Sequence, residues 1–225
     1  MDSKKTNRRQ QKIFIVFRKP MYNPFTNEFP QQPISVGGIS DNILRYVCRL
    51  GEHIHCEIFV PQMRCGHELG FSFTNFSGDR MQLRSDMKNS YMDTPHYYSC
   101  MIVYVNQNEY DKFISQNLAL VQRHVPYNYS NCMLTLLPKV FKQTFIQDPT
   151  HNIPIQSYDK LTQIETLFCA QSIILTLRVS LDADHVLFTS MNDLTARCTT
   201  PPELYLKIKE HMGEPVAIQQ TVIKT

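Results

Sequence analysis

Residues 12–18 read Lys-Ile-Phe-Ile-Val-Phe-Arg, an unbroken apolar run of β-branched and aromatic side chains between cations. Such a run predicts a strand buried on both faces. Residues 51–60, Gly-Glu-His-Ile-His-Cys-Glu-Ile-Phe-Val, behave differently. Strand alternation puts His53, His55, Glu57 and Phe59 on one side and Ile54, Cys56, Ile58 and Val60 on the other, so one face is apolar and the other carries two imidazoles and a carboxylate. Three more strands are predicted at 69–76, 81–85 and 97–105, with Ser77-Gly78-Asp79 as the turn between the first two. Neighbouring strands of this kind make an antiparallel meander.

Helical spacing appears elsewhere. Ser40 or Asp41 caps a predicted helix with Ile43, Leu44, Val47 and Leu50 on one face, stopped by Gly51. Asn106 or Asn108 caps another over 109–123, which buries Tyr110, Phe113, Leu118 and Val121 and exposes Asp111, Lys112 and Gln116. A third, from Thr162 or Thr166 to Val179, holds Leu167, Phe168, Ile173, Ile174, Leu175 and Leu177, dense enough to be buried on most sides. Pro201-Pro202 opens a last amphipathic helix through His211, stopped by Gly213 and Pro215. Residues 20–33 and 182–193 read as loops. The prolines at 138, 149 and 154 break 127–158 into a partly helical insertion able to line a cleft. Strands and helices are segregated, which argues for an α+β fold, an antiparallel sheet packed against helices. The chain of 225 residues divides into a basic disordered tail (1–11), a single domain (12–213) and a C-terminal tail (214–225).

Charge excludes one class of function. The net +3 is too small for a nucleic-acid groove, and several cations, Lys4, Lys5, Arg8, Arg9 and Lys12, sit together at the start as a solvated tail. No stretch approaches the ~20 apolar residues of a membrane span, nor does the charged start lead into a signal peptide, so the expectation is a soluble, intracellular protein. Seven cysteines without a CxxC pair suggest neither a disulfide framework nor a zinc ribbon. Most then serve as reduced, buried small hydrophobes.

Two places carry candidate chemistry. Cys169, in Phe168-Cys169-Ala170-Gln171, lies near the start of the most buried helix. A thiol there is acidified by the unpaired N–H groups and the helix dipole, and the same N–H groups can hold an oxyanion. Thr166 as the cap puts Cys169 in the first turn; the capping box Thr162-Gln163-Ile164-Glu165 puts it one turn deeper, and the first is favoured. Without other support, a lone cysteine beside Ala and Ile reads as an ordinary core residue. The other place is the His55 strand, a source of a general base, with His53 as a rival.

A His-Cys-Glu-Ile-Phe strand (His55 to Phe59), a second strand, an Asn/Tyr-rich segment (Tyr127-Asn128-Tyr129) and then a Phe-Cys-Ala-Gln helix resemble the circularly permuted papain-like hydrolases. This NlpC-type superfamily includes bacterial permuted amidases, lecithin retinol acyltransferase-like enzymes and proteins of large DNA viruses. The likeness covers roughly residues 12–180. It implies Cys169 as nucleophile and His55 as general base, preceding it in the chain as in the permuted members. The resemblance implies a thiol hydrolase or acyltransferase acting on the amide, ester or thioester bond of a peptide, lipid or other acyl substrate. It calls for no metal or cofactor, and the viral members imply host cytoplasm or virion. The third, polar position is Glu57, or Ser72 or Thr74 on the next strand, since a cross-strand neighbour stands closer to His55 than a residue two along.

Two other classes remain open. One is a papain-like scaffold that no longer turns over and serves as a binding or virion-associated module. The other is a non-haem iron oxygenase, with His55 and Glu57 joined by His53, His67 or His185 in a facial triad.

Overall fold

The computed structural model describes residues 10–19, 53–60, 69–74, 80–84, 91, 95–128, 164–196 and 199–217. The predicted helix before Gly51, the loop 20–33, most of the insertion 127–158 and His67 lie outside these residues.

An apolar run without polar relief needs neighbours on both edges and both faces, and β1 (Gln11–Arg18) has them. It pairs antiparallel with β2 (His55–Val60) on one side and with β5 (Tyr98–Val105) on the other. β3 (Leu69–Thr74) and β4 (Arg80–Arg84) extend the sheet beyond β2, giving the order β4-β3-β2-β1-β5. The β2-β3-β4 portion is the meander read from the sequence. β5, in contrast, crosses to the far edge beside β1, because Ile13 to Phe17, each at most 1% exposed, require cover that β2 alone cannot give.

Four α-helices join the sheet in the described part: α1 (Gln107–Gln122), α2 (Cys169–Ser180), α3 (Phe188–Asp193) and α4 (Pro201–Met212). The mixed α+β architecture with an antiparallel sheet is as the segregated pattern predicts. One sheet face, carrying Ile15 and Phe17 of β1, Cys56 and Ile58 of β2 and Val103 of β5, packs on Phe113 of α1, Ile173 and Leu177 of α2 and Leu204 of α4. The opposite face gathers Phe14, Val16, Phe59 and Cys100 around Tyr91. No helix among the described residues is long and apolar enough to cross a membrane.

Local signals place most helix ends. Asn106 caps α1 through a capping box: its side chain accepts from the Glu109 N–H at 3.0 Å, and Glu109 accepts from the Asn106 N–H at 2.8 Å. Thr200 does the same for α4, with Pro at the first positions and Gly213 (φ 81°) closing it. Gln116, expected to face water, is 5% exposed, because α1 packs on α2 as well as on the sheet and so buries a wider stripe. Residues 182–193 are not all loop: α3 forms there without a side-chain cap, its last carbonyls met by Arg178 of α2. At the two chain ends, Gln11 already belongs to β1, and the Val216 N–H donates to the Cys100 carbonyl at 2.8 Å.

Candidate active site

The start of α2 decides where Cys169 sits. Leu167 forms an isolated parallel bridge with Tyr127: its N–H donates to Pro126 O at 3.1 Å, and its carbonyl accepts from the Asn128 N–H at 2.7 Å. With its backbone committed there, Leu167 cannot be helical, and the helix begins at Cys169 after Phe168 as N-cap. Thr166 is therefore not the cap; its hydroxyl accepts from the Asn128 side-chain amide at 2.7 Å. Cys169 is nonetheless in the first turn, where the N–H groups have no acceptor within the helix. The Tyr127-Asn128 segment thus sets the helix start.

α2 is buried almost all round. A twelve-residue helix is marginal alone, so packing must hold it. Ile173, Ile174, Leu175 and Leu177, all at most 2% exposed, supply gross hydrophobic stabilisation of roughly 6–12 kcal/mol. The same packing presses the helix start against β2. There the Cys169 thiol meets two neighbours contributed by the strand, Cys56 and His55, within hydrogen-bonding reach.

These neighbours hold the Cys169 thiol well below its ordinary value. The Cys56 thiol, donating to the Cys169 sulfur, is the largest influence. Burial opposes it, and the charge and hydrogen bond of the His55 ring, with the Cys56 backbone N–H, add to the lowering. Cys100, on the other sheet face, shows what burial alone does: its thiol is pushed up to about 12. None of Cys56, Cys100 and Cys169 is in a disulfide.

His55 is the first residue of β2, opposite Arg18 at the end of β1. Its Nε2 lies 3.8 Å from Glu57 Oε2. Glu57, 6% exposed, accepts at Oε1 from the Tyr91 hydroxyl at 2.6 Å. The structure therefore brings together all three residues singled out from the sequence, Cys169, His55 and Glu57, in a chain that continues to Tyr91. The register of β2 with β3, Ile58 opposite Phe71, would set Ser72 beside Glu57 and Thr74 beside His55 if continued. The side chains of Ser72 and Thr74 lie outside those described.

His53 does not share the face of His55. β2 begins at His55, so alternation does not extend back to His53, whose ring packs on Tyr205 (4.4 Å between centroids) and Phe17 (5.6 Å) on the helix side. Its Nε2 is 3.0 Å from Ser99 Oγ. His185 is also elsewhere, with Nε2 2.9 Å from the Tyr104 carbonyl. Neither joins His55 and Glu57, and among the described residues no group of three His, Cys, Asp or Glu is arranged to hold a metal.

Sequence reasoning missed two members of the cluster. Cys56 read as core; its alternation with His55 was visible, but its contact with Cys169 spans 113 positions (169 − 56). Tyr91 carried only the weak signal of a lone aromatic in a polar stretch.

Compared with protein-family models, curated proteins and solved structures, the chain gives no match in any of the three.

Proposed function

We propose that this chain is a cysteine-dependent hydrolase or acyltransferase of permuted papain-like kind, acting on an amide, ester or thioester bond. One observation carries the reading: a thiol at the first residue of a buried helix, held well below its ordinary value, meets an imidazole from an early strand. Structural cysteines under burial alone move the other way, as Cys100 does.

In this mechanism His55 takes the Cys169 proton and the sulfur attacks the substrate carbonyl carbon. A C–S bond forms, and the carbonyl π electrons move to oxygen. The first-turn N–H groups of α2 are the donors available to that oxyanion. Collapse of the intermediate expels an amine, alcohol or thiol, which takes its proton from His55. Water or another acceptor, deprotonated by His55, then attacks the thioester and frees Cys169. Glu57 orients the imidazole through Nε2, which leaves Nδ1 for the thiol. Peptides, lipids and other acyl compounds are the substrate classes this chemistry admits. An intracellular setting keeps such a thiol reduced.

A second reading, a papain-like binding module without turnover, draws on the 2% exposure of Cys169, which leaves little room for an incoming carbonyl. Iodoacetamide labelling with peptide mapping separates the two. The enzyme reading expects Cys169 to label at neutral pH well ahead of Cys100, with marked slowing in His55→Ala. Labelling of Cys169 no faster than Cys100, and indifferent to His55, would sink it.

A further inference from the structure

We infer that Tyr91 is a positioning residue of this site: its hydroxyl fixes the Glu57 carboxylate so that the second carboxylate oxygen is aimed at His55. The inference rests on the reading of Cys169 and His55 given above and extends it to a residue 34 positions from Glu57 in sequence.

A buried carboxylate oxygen needs a donor, and the two oxygens of Glu57 face different groups. Oε1 accepts from Tyr91 at 2.6 Å, the short separation of a charge-assisted O–H···O⁻ bond; Oε2 is the oxygen 3.8 Å from His55 Nε2. Tyr91 itself has no freedom to follow a wandering carboxylate. It is 1% exposed, and its ring is held edge-on by Phe59 (5.5 Å, 89°) and Tyr98 (4.9 Å, 69°). Phe59 lies on the same face of β2 as Glu57, so the strand that carries the carboxylate also locks the phenol that holds it. Burial, then the Glu57 charge, raises the Tyr91 hydroxyl well above its ordinary value, so it stays a donor across the working pH range. The other titratable groups acting on Tyr91 are Tyr98 and Cys100, both on β5.

Without the hydroxyl, Oε1 loses its donor, and the carboxylate must turn to find another. That turn alters what His55 Nε2 faces and hence which ring nitrogen carries the proton when the ring is neutral. A tyrosine serving only as core would influence stability and nothing else.

The test uses full-length Tyr91→Phe and Glu57→Gln, each read in three ways: thermal unfolding, the pH profile of Cys169 labelling by iodoacetamide, and the His55 tautomer from 15N NMR of histidine-labelled protein. At a pH where the ring is neutral, wild-type His55 should carry its proton on Nε2, the nitrogen facing Glu57. Both variants should shift that tautomer and slow neutral-pH labelling by about tenfold, the lower end of what losing an outer partner costs a metal-bound histidine. The double variant should be no slower than either single one. A wild-type tautomer in folded Tyr91→Phe overturns the inference, as does one in Glu57→Gln should Tyr91→Phe not fold. If wild-type Cys169 reacts like an ordinary thiol, the hydrolase reading fails; the tautomer still decides the role of Tyr91.

Discussion

Arg178 sits nine positions after Cys169 on α2 (178 − 169) and is 7% exposed. Its guanidinium donates from Nε to Met191 O at 2.7 Å and from Nη2 to Asn192 O at 3.4 Å and to Leu194 O. These carbonyls are at the C-terminal end of α3, where the helix leaves them unpaired and partly negative. Arg178→Met keeps the apolar stem and removes the donors. Hydrogen bonds to a charged group contribute about 1.5–3 kcal/mol each, and Arg178 makes three, the one to Asn192 O being long. Release of the desolvated charge offsets part of the loss, so a net destabilisation of about 3 kcal/mol is expected. In a chain of this size that is a fall of about 6–12 °C in the unfolding midpoint. Urea unfolding followed by circular dichroism measures the free energy. Iodoacetamide labelling under native conditions measures the other end of the helix, about 14 Å away along the axis. Stability should drop and Cys169 labelling should hold. A Met variant within 0.5 kcal/mol of wild type would refute the assignment of these bonds; a folded variant with an unreactive Cys169 would refute the independence of the two ends.

Cys56→Ala removes the largest influence lowering the Cys169 thiol, so the labelling profile of Cys169 should move to higher pH; an unmoved profile would contradict that contact. The same thiol links stability to pH. Its proton is held more weakly in the folded chain than in the unfolded one, so its stabilisation is complete above the ordinary value of 9.0 and is lost as pH falls through the lowered folded value. The unfolding free energy of wild type minus that of Cys169→Ala should therefore rise with pH across that window and flatten above it, as read from urea titrations at several pH values. Thr200→Ala deletes a helix cap and should cost about 1 kcal/mol, or roughly 2–4 °C in a calorimetric scan, with no change at Cys169.

What the amino-acid sequence determined by itself was local. Periods of 2.0 and 3.6 residues, read within a few positions, marked all five strands and three of the four described α-helices, but left two possible starts for the helix that carries Cys169. Asn106 or Asn108 and Pro201-Pro202 announced helix starts, because a cap acts on N–H groups within three residues and proline fixes φ for the first turn. The same local reasoning named Cys169, His55 and Glu57, since acid–base chemistry depends on side-chain type.

Tertiary structure decided the rest. β5 lies beside β1 because a strand buried on both faces needs a second neighbour, and no local rule says which strand supplies it. α3 exists where only a loop was read, because the donors for its last carbonyls come from Arg178 on another helix. The start of α2 is set by a bridge to Tyr127, forty positions earlier (167 − 127). His53 turns away from His55 because the strand begins only at His55, and Tyr91 reaches Glu57 across 34 positions. Each of these contacts is made when the core closes, and closure joins residues according to volume and polar satisfaction, which are invisible to any window a few residues wide.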